Sequence, residues 1–158
     1  MTDKKVKRVA AIQNGTVIDH IPSEATFKVL QILDLGNKSI TVGNNLSSKK
    51  MGLKGLVKIN NKILTKEELN KIAIVSPQAI VSTIKEYEVK NKFCVELPEV
   101  LENVLNCFNP TCITRNEEVL TKFYVVGKRP LKIRCHYCER SFKKDEILIK
   151  WGNVKWIY

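Results

Sequence analysis

Four cysteines constrain the second half of this chain more than any other feature. Cys107 and Cys112 form a C-x4-C pair (CFNPTC), and after twenty-two further residues Cys135 and Cys138 form a C-x2-C pair (CHYC). Two close pairs, each on its own turn, suit a tetrahedral ion, because each turn presents two thiolates and the loop between lets the turns face each other. With all four bound, no position is left for water or substrate, so the pattern predicts one structural zinc ion per chain. Four unrelated buried thiols or two disulfides are the competing readings, and spacing this tight on both sides rarely arises without a metal. Cys94 stands apart and reads as a small buried apolar residue.

At 158 residues the chain has room for one ordinary domain or two small ones. A hydrophobic content of 44% supports a core and argues against disorder. No run of eighteen apolar residues occurs, and no apolar stretch follows the charged MTDKKVKR start, so neither a membrane span nor a secretory signal is expected. Cysteines at metal spacing suit a reducing compartment, and a cytoplasmic location is expected. The formal charge is +11, and residues 107–158 carry 11 basic against 5 acidic groups. That balance suits nucleic acid, nucleotide phosphates or an acidic protein partner. Four thiolates on a zinc ion return a formal −2 to this segment.

Hydrophobic periodicity predicts a strand at residues 6–12, a turn at Asn14-Gly15 and a short apolar run at Val17-Ile18. A helix is predicted at 23–35, with Ser23 as N-cap, an apolar face of Ala25, Val29, Leu30, Ile32 and Leu33, and Gly36 as its end. Strands follow at 39–42 and 55–63, joined by a polar connection over 43–54. Thr65-Lys66-Glu67-Glu68 is a capping box opening a second helix, which Pro77 ends. A fourth strand is read at 79–89, turning near Lys90-Asn91. Strand, helix, strand, strand, helix, strand is the split βαβ order, so the fold class is α+β, with an N-terminal ferredoxin-like βαββαβ sandwich. Residues 1–97 form this domain, 98–106 a linker or hinge read as helical at 100–105, and 107–158 a small antiparallel-β, zinc-ribbon-like domain. In that last segment, strands are read at 119–126, 131–134 and 147–151, with Gly127 and Pro130 bracketing a turn. About fifty residues hardly hold together by burial alone, so the metal is expected to supply most of the stability. In the tail, Gly152-Asn153 reads as a turn packing Trp151 and Trp156 against the zinc domain.

Several stretches together resemble the regulatory chain of aspartate carbamoyltransferase: GTVIDHIP at 15–22, Met51-Gly52, Leu56-Val57-Lys58-Ile59, Ser76-Pro77-Gln78-Ala79, Tyr87-Glu88-Val89, Leu97-Pro98 and both cysteine motifs. The resemblance implies a non-catalytic subunit of pyrimidine biosynthesis, with an N-terminal nucleotide-binding domain and a C-terminal zinc domain. It implies regulatory homodimers that pair through the N-terminal sheet and zinc domains that hold catalytic chains. It also implies a holoenzyme of two catalytic trimers and three regulatory dimers. CTP, ATP and UTP are the implied effectors, with neither nucleic acid nor membrane as partner.

Carried over residue by residue, the resemblance places the base against Ala10, Ala11 and Ile12, the ribose at Asp19, and the phosphates beside His20. Lys58 is implied at ribose and base, Lys92 at the triphosphate, and Val17, Ser82, Ile84, Tyr87 and Val89 as pocket wall. Lysines suit a flexible triphosphate because each is a mobile point charge, and Asp19 offers an acceptor to ribose hydroxyls. Ser82 stands where better-known members carry an amide side chain, which implies that one hydrogen bond to the base is missing or carried by water. Alternation along one strand sets Ser82 and Ile84 on one face and Tyr87 and Val89 on the other, so a bulge or backbone contact is needed. No P-loop and no nucleophile elbow is present. The alternative is a zinc-ribbon nucleic-acid-binding protein, favoured by the charge and by Arg134, Arg140, Lys143 and Lys144. It is disfavoured by the lack of aromatic–basic interleaving.

Overall fold

The computed structural model describes residues 10–151. The chain is a mixed α+β protein of mostly antiparallel sheets with few helices. It divides into two compact units: the first takes the chain up to Thr26 with Leu35–Ile63 and Gln78–Cys94, and the second takes Phe27–Asp34, Leu64–Pro77 and the chain from Val95 on. No helix among the described residues is long and apolar enough to cross a membrane.

The first unit is a five-stranded antiparallel sheet made of β1 (Gly15–Ile21), β2 (Ile40–Ser48), β3 (Gly52–Asn60), β4 (Ile80–Lys85) and β5 (Glu88–Cys94), in the order β2-β3-β1-β4-β5. Strands 2-3-1-4, with helices following β1 and β3 in the chain, give the ferredoxin-like topology, and β5 adds an edge. Period-two alternation splits the sheet into two unlike faces. Ile18, Val57, Ile59 and Val81 point to a buried face. Val17, Lys58 and Asn60 lie on the half-exposed one.

Several boundaries move from their predicted places. Among the described residues 10–12 there is no strand, because Ala10, Gln13 and Asn14 direct their acceptors to Lys58 Nζ, the Tyr87 amide and the Glu86 amide rather than to a ladder. The predicted strand over 6–9 lies outside the described residues. Helix α1 (Thr26–Ile32) starts later than 23, because the Ala25 amide closes a turn onto the Pro22 carbonyl and Ser23 caps nothing. The polar stretch 43–54 is not a long loop: β2 and β3 run through it to a short turn, with a bulge between Gly43 and Leu46. Its polarity follows from β2 being a largely exposed edge. The single strand read at 79–89 is a hairpin broken at Glu86-Tyr87, whose φ values of 51° and 63° match a two-residue type I′ turn without glycine or asparagine.

The second unit holds α1, α2 (Lys66–Val75) and the cysteine segment. Thr65 and Glu68 exchange side-chain and backbone hydrogen bonds as the capping box requires, a device worth about 1 kcal/mol. Residues 100–105 are not helical. They form β6 (Val100–Glu102) and the start of β7 (Leu105–Asn106), because β6 pairs with β8 (Lys122–Lys128) and β7 with β11 (Leu148–Ile149). With β9 (Leu131–Cys135) and β10 (Ser141–Lys143), a four-stranded sheet runs β10-β9-β8-β6. Its core joins Leu101, Val104, Leu105, Phe123, Ile133 and Phe142 to Ile32 of α1 and Ile74 of α2, so the burial available to this unit exceeds that of the cysteine segment alone. Of the tail, Trp151 is described and is half exposed, and the predicted turn at 152–153 and Trp156 lie outside the described residues.

Gly15 tests the first unit. Its φ is +142°, and a Cβ there would run into the Ile59 carbonyl on the paired strand. Gly15→Ala is expected to lose about 2 kcal/mol or more of stability through backbone strain and steric conflict, measured by urea unfolding.

Candidate metal centre and charged sheet face

Each cysteine pair is carried by its own turn. Cys107 follows β7, and Cys112 caps the short helix α3 (Ile113–Asn116), with the Cys112 amide closing onto the Asn109 carbonyl at 3.1 Å. Cys135 ends β9, and Cys138 lies in a turn closed by the Glu139 amide on the Cys135 carbonyl at 3.1 Å, with Glu139 at φ 57°. The four Sγ atoms lie within 4.8 Å of one another. Across the two turns, Cys107 and Cys138 sulfurs are 3.7 Å apart and Cys112 and Cys135 sulfurs 3.8 Å. Sulfurs held tetrahedrally at about 2.3 Å from one ion stand about 3.8 Å from each other. A disulfide needs about 2.05 Å, so the spacing fits a shared metal and not two bridges.

The thiols differ in their readiness to ionise. Burial pushes Cys107 and Cys135 up. Burial acts on Cys112 in the same sense, but the Thr114 hydroxyl, donating to its sulfur at 3.2 Å, and the Thr114 amide outweigh it and bring the group down to about 7. Backbone amides of Asn109 and of Tyr137 and Cys138 favour the thiolates of Cys107 and Cys135 in turn. Such donors are what a closed all-sulfur metal site uses to steady its negative charge. Cys94, read as buried, is exposed instead, because β5 is an uncovered edge.

The second group of candidate residues gathers on the half-exposed face of the first unit. Val17 pairs with Lys58 on one side and Ser82 on the other, and Ser82 pairs with Lys92, so four of them form one row across β3, β1, β4 and β5. Directly paired residues share a face. Ile84 pairs with Val89 in the next row, with Lys90 as the unmatched residue of a bulge. The hairpin thus removes the conflict of alternation, and Tyr87 sits in its turn, largely exposed. Lys58 Nζ donates to the Ala10 carbonyl at 2.8 Å, which brings the 10–12 segment to this row, Ala11 exposed and Ile12 buried.

Asp19 and His20 occupy a bulge of β1, with His20 at φ 57°. The His20 amide donates to Asp19 Oδ1 at 2.6 Å, while His20 Nδ1 stands 3.6 Å from Oδ2, too far for a hydrogen bond. Lys54 Nζ lies 2.9 Å from Asp19 Oδ1 and 3.1 Å from Oδ2. Burial alone would raise the Asp19 carboxyl, but the Lys54 and His20 hydrogen bonds and the Lys54 charge hold it below its usual range. Sequence reasoning misses Lys54 because 43–54 has the composition of a loop. Its signal is parity, since Lys54 and Lys58 share one face once β3 starts at Gly52.

Residues 7–96 match the family described as aspartate carbamoyltransferase regulatory chain, allosteric domain, and residues 99–148 match its metal binding domain. The chain is 52% identical to the aspartate carbamoyltransferase regulatory chain of Pyrococcus furiosus, over 89% of this chain and 95% of that protein. It is 48% identical to the chain of that name in Parabacteroides distasonis, over 93% and 97%, and 46% identical to that in Bacteroides fragilis over the same shares.

The metal centre and the carboxylate can each be tested. A thiol-reactive chromogen should titrate one cysteine in the metal-loaded protein, exposed Cys94, and all five after chelation. Metal release should increase as pH falls, because protons compete with the ion for thiolates. Asp19→Asn should be less stable than the parent at neutral pH. A carboxyl with a depressed folded-state pKa stabilises above its ordinary 3.8 and loses that contribution as pH falls through the folded value, so the two melting curves should converge in strong acid.

Proposed function

The chain belongs to the aspartate carbamoyltransferase regulatory-chain family and is a non-catalytic regulatory subunit, and we propose that it senses CTP, ATP and UTP through residues 1–97. The observation that carries this is the clustering of Lys54, Lys58, Lys92 and Asp19 with the backbone of 10–12 on one sheet face. Lys92 and His20 hold the triphosphate, Asp19 and Lys58 the ribose, and Ala10, Ala11, Ile12 and Lys58 the base. Val17, Ser82, Ile84, Tyr87 and Val89 line the pocket. Fixed backbone groups accept more than one base, so an activator and an inhibitor compete for one pocket.

The ion at Cys107, Cys112, Cys135 and Cys138 is zinc, one per chain. Four thiolates in tetrahedral array suit zinc among the divalent ions, and a closed shell supplies stability rather than chemistry. Domain 107–158 binds the catalytic chain, residues 98–106 act as the hinge, and the first domain pairs regulatory chains. Three such dimers join two catalytic trimers in a cytoplasmic enzyme of pyrimidine biosynthesis. An effector acts through its different affinity for two quaternary states, typically about 1–3 kcal/mol of coupling.

Calorimetric titration of CTP and ATP tests the pocket. Lys92→Ala should weaken both by roughly tenfold or more, the usual scale for a charge-assisted hydrogen bond, and equal affinities would misplace the phosphate site. In the assembled enzyme, the aspartate saturation curve should shift with CTP, ATP or UTP mixtures. A curve indifferent to all of them would remove the regulatory role.

A further inference from the structure

Two lysines of the second unit are withdrawn from water around one carboxylate. Lys71 on α2 is 4% exposed, although lysine is almost never fully buried unless paired. Its partner is Glu67, one turn earlier on the helix, at 3.2 Å. Lys150 comes from a different element. It follows β11, and its amide donates to the Val104 carbonyl at 2.9 Å, which continues the pairing of β11 with β7. Its side chain is half-buried, and Nζ donates to Asn103 Oδ1 at 2.6 Å. Glu67 and Lys71 are the charged groups that act on it, and Asn103 is uncharged. Two ammonium groups therefore stand with one carboxylate.

That is one positive charge too many for a site removed from water. Burial favours the neutral amine of Lys150. Glu67 opposes this and Lys71 adds to it, and the group loses its proton more readily than an ordinary lysine. A lysine partly desolvated beside another cation is the arrangement that makes an amine nucleophilic near neutral pH. The hydrogen bond to Asn103 fixes Nζ through a donor, which leaves the lone pair of the neutral amine free for attack. Glu67 also lines a hollow of about 460 Å³ with Lys66, Asn70, Val100, Glu102 and Lys122. Lys66, Lys71, Lys122 and Lys150 against Glu67 and Glu102 leave an excess of positive charge, which draws in a small phosphate-bearing molecule. We propose that Lys150 is a modification site whose Nζ takes an acyl group from a small acyl phosphate. The amine lone pair bonds to the carbonyl carbon, and the bond from that carbon to the phosphate oxygen breaks. Phosphate leaves with the electron pair, the nitrogen gives one proton to water, and the product is an amide with no change of oxidation state. Acylation removes the surplus charge and leaves Lys71 and Glu67 as a matched pair.

The test uses the full chain and acetyl phosphate at neutral pH, with acetylation at each lysine followed over time by peptide mass spectrometry. Lys150 should be labelled severalfold faster than Lys143 and Lys144, which are exposed in the same stretch of chain. Its lead should shrink as pH rises toward 10.5, the ordinary lysine value, where the other lysines also lose their protons. Lys71→Gln should slow Lys150 toward the rate of Lys143, and Glu67→Gln should speed it, in variants that melt at the parent's temperature. Where Lys71→Gln does not fold, the parent in urea takes its place, and there Lys150 should have no lead. A neutral donor, N-hydroxysuccinimidyl acetate, should prefer Lys150 less than acetyl phosphate does. Labelling of Lys150 at the rate of Lys143 and Lys144 in the folded parent overturns the proposal, and so does a lead that survives urea or ignores both variants. An equal lead with the neutral donor overturns it in favour of an amine that is merely reactive.

Discussion

Four sulfur atoms within 4.8 Å of one another set the condition on which the second unit depends. As thiolates they repel, and as neutral thiols they are weak partners that leave two turns with little reason to face each other. A cation at their centre turns that repulsion into a cross-link between chain segments more than twenty residues apart. The elements beside the turns, β7, α3 and β9, are short, and each delivers a cysteine at or next to its end. The hydrophobic cluster extends from the cysteines through Phe123 to Ile32 and Ile74, so the cysteine site and the buried core of the second unit are continuous.

The first unit solves a different problem. Its sheet keeps Ile18, Val57, Ile59 and Val81 on one buried face and collects lysines on the other. Because the row Lys58, Val17, Ser82, Lys92 runs across four strands, residues far apart in sequence become neighbours through register alone. The bulge at Asp19 and His20 breaks that register locally and turns a carboxylate toward Lys54. A bulge is a common way of re-aiming a side chain beside a binding site. Both units therefore present charge on a sheet face whose reverse is committed to burial. In the first the lysines have Asp19 and backbone acceptors nearby, while in the second the cations oppose one another.

Long, strongly patterned segments are legible from residues alone. The capping box at Thr65, the alternation of 56–60 and the cysteine spacing each carry a local physical cause that tertiary contacts do not overrule. The misread segments share a different property. Residues 100–105 have the apolar pattern of a short helix but find strand partners at β8 and β11, and 43–54 is polar because it forms an edge. The Glu86-Tyr87 turn lacks the glycine or asparagine that announces positive φ, so nothing local reveals that one apparent strand is two.

The sequence by itself determined the two cysteine pairs, the capping box at Thr65 and the family, because these rest on residue type and spacing along one chain. Only the tertiary structure decided that Lys54 meets Asp19, that Ile84 lies beside Val89, and that Lys132 faces Lys143. Those neighbours are set by strand register, bulges and one hairpin turn, which depend on hydrogen bonds between distant segments and leave no mark in local composition.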